Sequence, residues 1–186
     1  MPTTHHPALI SDILAFWFTE LTPEQWFRKD AGVDDRIRAR FAAAHETMAA
    51  TENAVLLRSA DTALAAIIAL DQFPRNMFRD SPQAFATDAK ALALATTAVD
   101  AGLDRDRTVH QRLFVYLPFE HAEHAATQAR SLALIASLGD AKFTRYADAH
   151  KVIIDRFGRF PHRNVSLGRV STPAELAFLK EPMSSF

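Results

Sequence analysis

The sequence of 186 residues contains no cysteine and only five glycines. Without cysteine the chain has no disulfides, thiolate metal ligands or cysteine nucleophiles. It also lacks an excess of positive charge, because 21 lysines and arginines face 22 aspartates and glutamates. This argues against a protein that binds nucleic acid over its whole surface, which would carry a basic excess, but leaves room for a locally basic site. No uncharged apolar run approaches about 18 residues, so no membrane span is expected. The first residues lack the basic and apolar regions of a signal peptide, which predicts a cytoplasmic protein.

Helix is predicted for almost the whole chain, because alanine is abundant and no segment alternates polar and apolar residues as a half-buried strand does. We predict an all-α fold and a single domain over residues 1–186, in which about eight or nine helices stack as antiparallel hairpins. Pro74, Pro118 and Pro161 are expected in turns after helices, since proline cannot donate the next helical hydrogen bond. The predicted helices lie near residues 9–20, 23–29, 33–50, 61–73, 83–101, 106–117, 121–138, 141–157 and 173–180.

Local signals mark several helix ends. Thr22 and Thr172 each precede a proline and, at the third helical position, a glutamine or glutamate, which is the pattern of a capped N-terminus. Gly102, Gly139 and Gly158 stand where a left-handed residue ends a helix. These signals indicate short connections between neighbouring helices.

Ionisable residues interrupt the apolar faces of four predicted helices. Asp71, Asp88, His121 and His150 each fall at helical spacing among apolar residues. A buried charge is costly unless it is paired, so the aspartates need cationic partners, and arginine suits this role because its planar fork meets a carboxylate through two bonds. One such pair can simply fix a helix end. Four helices that share the pattern indicate a common internal pocket. The available arginines are Arg75, Arg79, Arg156, Arg159, Arg163 and Arg169.

The segment FGRFPHRN, residues 157–164, is the strongest candidate for a ligand-binding loop. Pro161 stiffens its turn, His162 is of a type that titrates near neutral pH, and Asn164 offers both a donor and an acceptor. Such a loop can cradle an anion or an acyl oxygen. The alternative is that its two phenylalanines anchor the loop on the core while the arginines reach into solvent. The similar string DQFPRN occurs at residues 71–76.

A metal site is a weaker alternative. His121 and His124 are three residues apart, and Glu120 lies four residues before His124, so two or three of these side chains can converge on one ion if the segment is helical. Glutamate and histidine are also ordinary at a solvated helix start, and the pattern is not HExxH. We predict no metal ligand.

Several strings, in their order along the chain, resemble an uncharacterised, mainly bacterial family catalogued as domain of unknown function 924. The resemblance spans nearly the whole chain. It implies a tetratricopeptide-like helical fold and brings no established activity. The strings are ILAFWF at 13–18, WFRKD at 26–30, ALDQFPRNMFRDSPQAFATDAKAL at 69–92, RLFVYLPFEHAE at 112–123, RFGRFPHRN at 156–164 and LGRVSTPAELAFL at 167–179.

The resemblance also marks polar positions, many of which also interrupt apolar helix faces or lie in FGRFPHRN. The chain departs from the family pattern at Ala122 and His124, where the family more usually has HSE followed by an acidic residue, and this further weakens a metal role for His124. The marked residues are Asp71, Gln72, Arg75, Asn76, Asp88, His121, Glu123, His150, Arg156, Arg159, His162, Arg163 and Asn164.

Three functions are compatible with these residues. The first is a small-molecule-binding protein or enzyme whose internal pocket takes a carboxylate or phosphate, with acid–base groups among His121, His162, Glu123 and Asp88. The second is a tetratricopeptide-like interaction module that binds an acidic peptide, and the third is a metal-dependent hydrolase. Cofactor, substrate, reaction and oligomeric state stay open, and no nucleic acid or membrane partner is expected. The predicted ligand-binding residues are Asp71, Arg75, Asn76, His150, Arg156, Arg159, Arg163 and Asn164.

Overall fold

The computed structural model describes residues 7–185, and over these residues the chain is all-helical and contains no strand. The predicted fold class is therefore confirmed. Two π-helical turns, Phe16–Glu20 and Ile68–Gln72, and two 3₁₀ turns, Pro82–Phe85 and Pro161–Arg163, interrupt or follow the α-helices. The α-helices are α1 (Pro7–Ala15), α2 (Pro23–Trp26), α3 (Ala31–Ala50), α4 (Asn53–Leu56), α5 (Ala60–Ile67), α6 (Phe73–Met77), α7 (Asp88–Asp100), α8 (Val109–Glu120), α9 (Ala125–Ala136), α10 (Ala141–Phe157) and α11 (Pro173–Phe178).

The described chain divides into two compact units. The first unit comprises residues 7–79 and 83–118, and the second comprises residues 80–82 and 119–185. The expectation of one domain stays a prediction. No helix within residues 7–185 is long and apolar enough to cross a membrane.

Buried aromatic rings form the core of the first unit. Helix α3 packs against α6, and α5 packs against both α1 and α7. The Phe73 ring lies with its centroid 5.0 Å from that of Phe41 and 5.7 Å from that of Trp17, and Phe114 lies 5.4 Å from Trp17. These rings are at most 1% exposed. Rings of this size remove large apolar areas from water, so they fix the helices around them.

The second unit is built on a hairpin of α9 and α10. Gly139 takes a positive φ of 76°, which an L-residue rarely adopts, and Asp140 then caps α10 by accepting hydrogen bonds from two backbone N–H groups. Helix α10 ends at Gly158, also left-handed as predicted. After a turn, α11 begins at a capping box of Thr172 and Glu175, again as predicted.

The structure corrects the sequence-based boundaries at two prolines. Pro118 lies inside α8, not in a turn after it, because residues 113–120 are all buried and their packing outweighs the lost backbone hydrogen bond. Helix α9 therefore begins only at Ala125, and His121 lies in a turn before it. Pro74 likewise does not follow the helix, since the chain passes through the π turn Ile68–Gln72 directly into α6.

Helical spacing places Tyr146 near the face of α10 that carries His150, yet it is 37% exposed. The buried face of that helix is Ala147, His150, Ile153 and Ile154, and Tyr146 lies at its edge. The burial of His150 on this face agrees with the prediction.

Candidate functional site

The sequence-predicted site residues form clusters in both units. The first unit holds Asp71, Arg75, Asn76 and Asp88. The second unit holds His121, Glu123, His150, Arg156, Arg159, His162, Arg163 and Asn164.

In the first unit, side chains satisfy backbone carbonyls that the π turn leaves without helical partners. Pro74 has no N–H for the carbonyl of Leu70, and this oxygen accepts a hydrogen bond from the Thr87 hydroxyl at 2.5 Å. The Phe73 N–H bonds to Ile68, as a π turn requires, so the Ala69 carbonyl is instead bonded to Nδ1 of His45 at 2.9 Å. The π turn is therefore held by side chains distant in sequence.

Arg75 is bound by two carboxylates beside this turn. Its Nη1 and Nη2 donate to the two oxygens of Asp88 at 2.8 and 2.9 Å, and Nη1 lies 3.5 Å from Oδ1 of Asp71. Asp71 is fully buried and also accepts from the Gln72 side chain at 2.6 Å. Burial alone would lower the pKa of Arg75, but Asp71 and Asp88 outweigh it and raise that pKa above its usual value. This pairing is the structural role that the sequence left open as an alternative.

A second ion pair joins α3 to the end of α6. Asp34 accepts two hydrogen bonds from Arg79, at 2.6 and 2.7 Å, and one from the Asn76 amide at 2.8 Å. Burial raises the pKa of Asp34, yet Arg79 and Asn76 bring it below its usual value. Sequence reasoning missed Asp34, although it shares the face of α3 with Ile37 and Phe41 at helical spacing and could have been found in that way.

In the second unit, Arg159 holds the capping box of α11. Its Nε and Nη2 donate to the two carboxylate oxygens of Glu175, at 2.6 and 2.8 Å. The pKa of Glu175 is lowered to about 2, first by the hydrogen bond from Arg159 and next by the hydrogen bond from the backbone N–H of Thr172. Both nitrogens of Arg159 that bind Glu175 therefore have a structural role. Glu175 was not predicted as the partner of Arg159, because its place in a capping box already accounted for its carboxylate.

A similar pair fixes the loop after α10. Arg169 donates to both carboxylate oxygens of Glu123, at 2.6 and 2.9 Å, and to the side-chain oxygen of Asn164 at 2.9 Å. Glu123 also accepts from the backbone N–H of Phe160 at 2.8 Å. Burial raises the pKa of Glu123, but Arg169, Phe160 and the nearby charge of Arg163 lower it overall.

Three of the remaining predicted residues gather around the buried ring of Phe160. The centroid of this ring lies 5.5 Å from that of His150 and 5.6 Å from that of His162. The guanidinium carbon of Arg163 lies 4.5 Å from it. The ring of His121 joins the group at 6.4 Å from His150. His150 and Arg163 are buried, whereas His121 and His162 are half-buried.

His150 is held in its neutral form at the centre of this group. Its pKa is lowered to about 3, first by burial and then by the positive charges of His121, Arg163 and His162. Its Nδ1 lies 2.8 Å from the carbonyl oxygen of Tyr146 and 3.4 Å from Oε1 of Glu120. Since a neutral ring carries one N–H, the Tyr146 carbonyl places that hydrogen on Nδ1 and the lone pair on Nε2.

Gln128 positions the turn that carries His121 and Glu123. Its side-chain NH₂ donates to the carbonyl oxygens of Glu120 at 2.6 Å and Ala122 at 2.8 Å. The last carbonyls of a helix have no helical donors, so this amide completes the end of α8. Gln128 is fully buried on α9, and no sequence motif reveals that its amide caps the neighbouring helix.

Two predicted positions lie outside this group. Arg156 is half-exposed, stacks over Phe157 and lies 4.0 Å from Glu181. His124 is the exposed N-cap of α9, where its Nδ1 lies 3.4 Å from the backbone nitrogen of Thr127. Among residues 7–185 no group of three or more histidine, aspartate or glutamate side chains has the arrangement of a metal site.

Comparison with known proteins identifies relatives. A family model described as "Bacterial protein of unknown function (DUF924)" matches residues 13–183. The chain is similar to the solved structure of a protein of unknown function, ATU0120, from Agrobacterium tumefaciens. The two are 41% identical, the match covers 95% of this chain and 99% of that one, and the TM-score is 0.90. No curated protein gives a significant match.

Proposed function

The chain belongs to the DUF924 family of bacterial proteins of unknown function, and from this premise we propose that its second unit binds a small carboxylate or phosphate compound beside Phe160. Arg163 attracts the anionic group, and His121 or His162 donates or accepts a proton at the ligand. The protein is then a small-molecule-binding protein or an enzyme that uses acid–base chemistry.

The observation that carries this proposal is the gathering of His121, His162 and Arg163 around the buried rings of Phe160 and His150. The pKa of His150 falls to about 3, first because it is buried and then because of the positive charges of His121, Arg163 and His162. Burial disfavours any charge, but the three positive groups disfavour a further cation and attract an anion. Arginine and histidine also supply the hydrogen-bond donors that a carboxylate or phosphate accepts.

The degree of burial separates the roles of these residues. His121 and His162 are half-buried, so a ligand that enters from solvent can reach them, and histidine titrates near neutral pH. The neutral His150 is buried beneath them. Glu123, with Arg169 and the Phe160 N–H on its oxygens, orients the loop instead of acting as a base. Arg159, Arg156 and the first-unit cluster stay outside this proposed site.

Binding of simple anions tests the proposal. Phosphate, succinate and citrate are titrated into the protein near pH 7 by calorimetry, with thermal shift as a second measurement, since a ligand that binds only the folded state raises the melting temperature. We expect at least one anion to bind saturably, and Arg163→Gln and His121→Asn each to weaken binding about tenfold. The controls are Arg145→Gln, an exposed arginine of α10, and His124→Asn, in which asparagine keeps the N-cap.

Two results would count against this function. One is the absence of saturable binding by every anion tested. The other is an equal loss of affinity in Arg145→Gln and Arg163→Gln, because binding would then reflect only the total charge of the protein.

Two exposed valines favour a second candidate, a tetratricopeptide-like interaction module for an acidic peptide. Val165 is 89% exposed and Val170 is 87% exposed, and both lie between Arg163 and α11, close in sequence to Arg169. A contiguous apolar patch beside basic residues marks a peptide-binding surface, and this candidate requires the two valines to form one. If this candidate is correct, the double change Val165→Ser and Val170→Ser abolishes binding of an acidic peptide in fluorescence anisotropy and leaves the binding of phosphate unchanged.

A further inference from the structure

The buried face of α9 carries two polar atoms that have no hydrogen-bond partner among residues 7–185. They are Oε1 of Gln128 and Oγ of Ser131. Both side chains are fully buried, and they lie three residues apart on the same face of the helix. Buried polar groups in proteins are nearly always hydrogen-bonded, so two such atoms on one face need an explanation.

The orientation of the Gln128 amide is fixed by chemistry. Its NH₂ group lies against the carbonyls of Glu120 and Ala122, and these oxygens accept hydrogen bonds only from the nitrogen side of the amide. Oε1 is therefore directed away from the end of α8. An amide oxygen can only accept, so any partner of Oε1 must bring an N–H or O–H group.

The position of these atoms links them to the proposed anion site. Helices α9 and α10 pack against each other as an antiparallel hairpin whose connection is residues 137–140. Residues equally distant from the connection lie side by side in such a hairpin, which places Gln128 at the level of His150. Gln128 also holds the turn of His121. Gln128 therefore lies against both chain neighbours of His121, and Ser131 lies one helical turn farther along α9.

We propose that the ligand of this site carries, in addition to its anionic group, a hydroxyl that donates to Oε1 of Gln128 and pairs with the hydroxyl of Ser131, which can both donate and accept. This inference rests on the function proposed above and narrows its ligand to the class of hydroxy acids, because the ammonium group of an amino acid would bring a further cation beside Arg163 and the histidines. Arg163, with His121 or His162, meets the carboxylate or phosphate, and the face of α9 meets the donor. The buried acceptors lower the stability of the ligand-free protein, as groups reserved for binding often do.

Stability of a Ser131→Ala variant gives the first test, and it requires no ligand. If the hydroxyl is reserved for a ligand, its removal relieves a buried unsatisfied group and raises the urea midpoint by about 0.5 M. The control is Ser11→Ala, an exposed serine inside α1, which measures the gain from helix propensity alone. An increase clearly larger than the control supports the inference. A decrease overturns it, because the hydroxyl would then have a permanent internal partner such as a buried water.

Matched dicarboxylates give the second test. Succinate, L-malate and L-aspartate share two carboxylates, but only malate and aspartate carry a further donor. Calorimetry should show that malate binds at least about tenfold more tightly than succinate, because a buried acceptor left unpaired is costly, whereas aspartate, whose donor is a cation, should show no such preference. Ser131→Ala should remove the preference for malate.

The outcomes distinguish the two proposals. Equal binding of all three compounds, or a preference that survives Ser131→Ala, overturns the inference and leaves the anion site intact. If none of the three compounds and neither of the other two anions binds, both proposals fail.

Discussion

The hydroxyl of Thr87 donates a hydrogen bond to the backbone carbonyl of Leu70 at 2.5 Å. In a regular helix this carbonyl would receive its bond from residue 74, which is Pro74 and has no N–H. A threonine that precedes α7 thus replaces the hydrogen bond that a proline removes, and the π turn with the buried Asp71 is kept inside the core of the first unit.

Thr87→Val should destabilise the protein through this carbonyl. Valine keeps the shape of threonine but removes the donor, so the Leu70 oxygen is left unsatisfied in the core at a cost of about 1–3 kcal/mol. Urea unfolding measures the loss. The same change at Thr97, whose exposed hydroxyl bonds to Ala93 in α7, should cost less than about 0.5 kcal/mol. In a Pro74→Ala background the restored N–H can serve Leu70, so the loss should shrink. An equal loss in both backgrounds would contradict this account.

The sequence predicts most helices of this fold because its signals are local. Capping residues such as Thr172 and left-handed glycines such as Gly158 act within one turn of the chain, and the structure has both. The π turn at Leu70 and the continuation of α8 through Pro118 were missed because each depends on distant packing. No pattern within residues 61–77 reveals that Thr87 will supply a donor.

In the candidate site, too, the sequence predicts the features set by local signals but not those set by distant packing. His150 was recognised as a polar residue on a buried face, since helical periodicity alone reveals it. The partners of the arginines could not be assigned, because several carboxylates and several arginines were available and periodicity gives no distances between helices. Arg159 was expected at a ligand, yet its fork is bound to Glu175, and Glu123 is bound to Arg169.

The pair of Glu123 and Arg169 should stabilise the second unit in a manner that depends on pH. Glu123→Gln leaves Arg169 partly buried without its counter-charge, and we expect a loss of about 2 kcal/mol near pH 7, less than for a fully buried pair because both side chains keep some exposure. The pKa of Glu123 is lower in the folded protein. Its contribution is therefore complete above the unfolded pKa of about 4.3 and is lost as the pH falls through the folded pKa.

Urea unfolding of wild type and Glu123→Gln at pH 7 and near pH 3 checks this dependence, because the difference between the two proteins should shrink in acid. The matched control is Asp155→Asn, which breaks the exposed pair of Lys151 and Asp155 on α10 and should cost less than about 0.5 kcal/mol. A difference at Glu123 that is the same at both pH values would show that the charge of the glutamate does not contribute.

His150 should make the protein less stable in mild acid. Its pKa is lowered to about 3 in the folded state, whereas the unfolded chain binds the proton near pH 6.5. Between these values the unfolded state holds more protons, so stability falls as the pH falls, by up to about 1.4 kcal/mol per pH unit. His150→Asn should remove this term, because an asparagine amide can still donate to the Tyr146 carbonyl but does not titrate. Relative to the variant, wild type should lose about 2 kcal/mol of stability between pH 7 and pH 5 in urea unfolding.

The charged and titratable groups that face His150 are His121, His162, Arg163 and Glu120. They remain in the variant, so their own titration is largely common to both proteins. His124→Asn, at an exposed cap, should keep the wild-type slope. If wild type and His150→Asn respond equally to pH, the surroundings of His150 do not hold it in the neutral form in the folded protein.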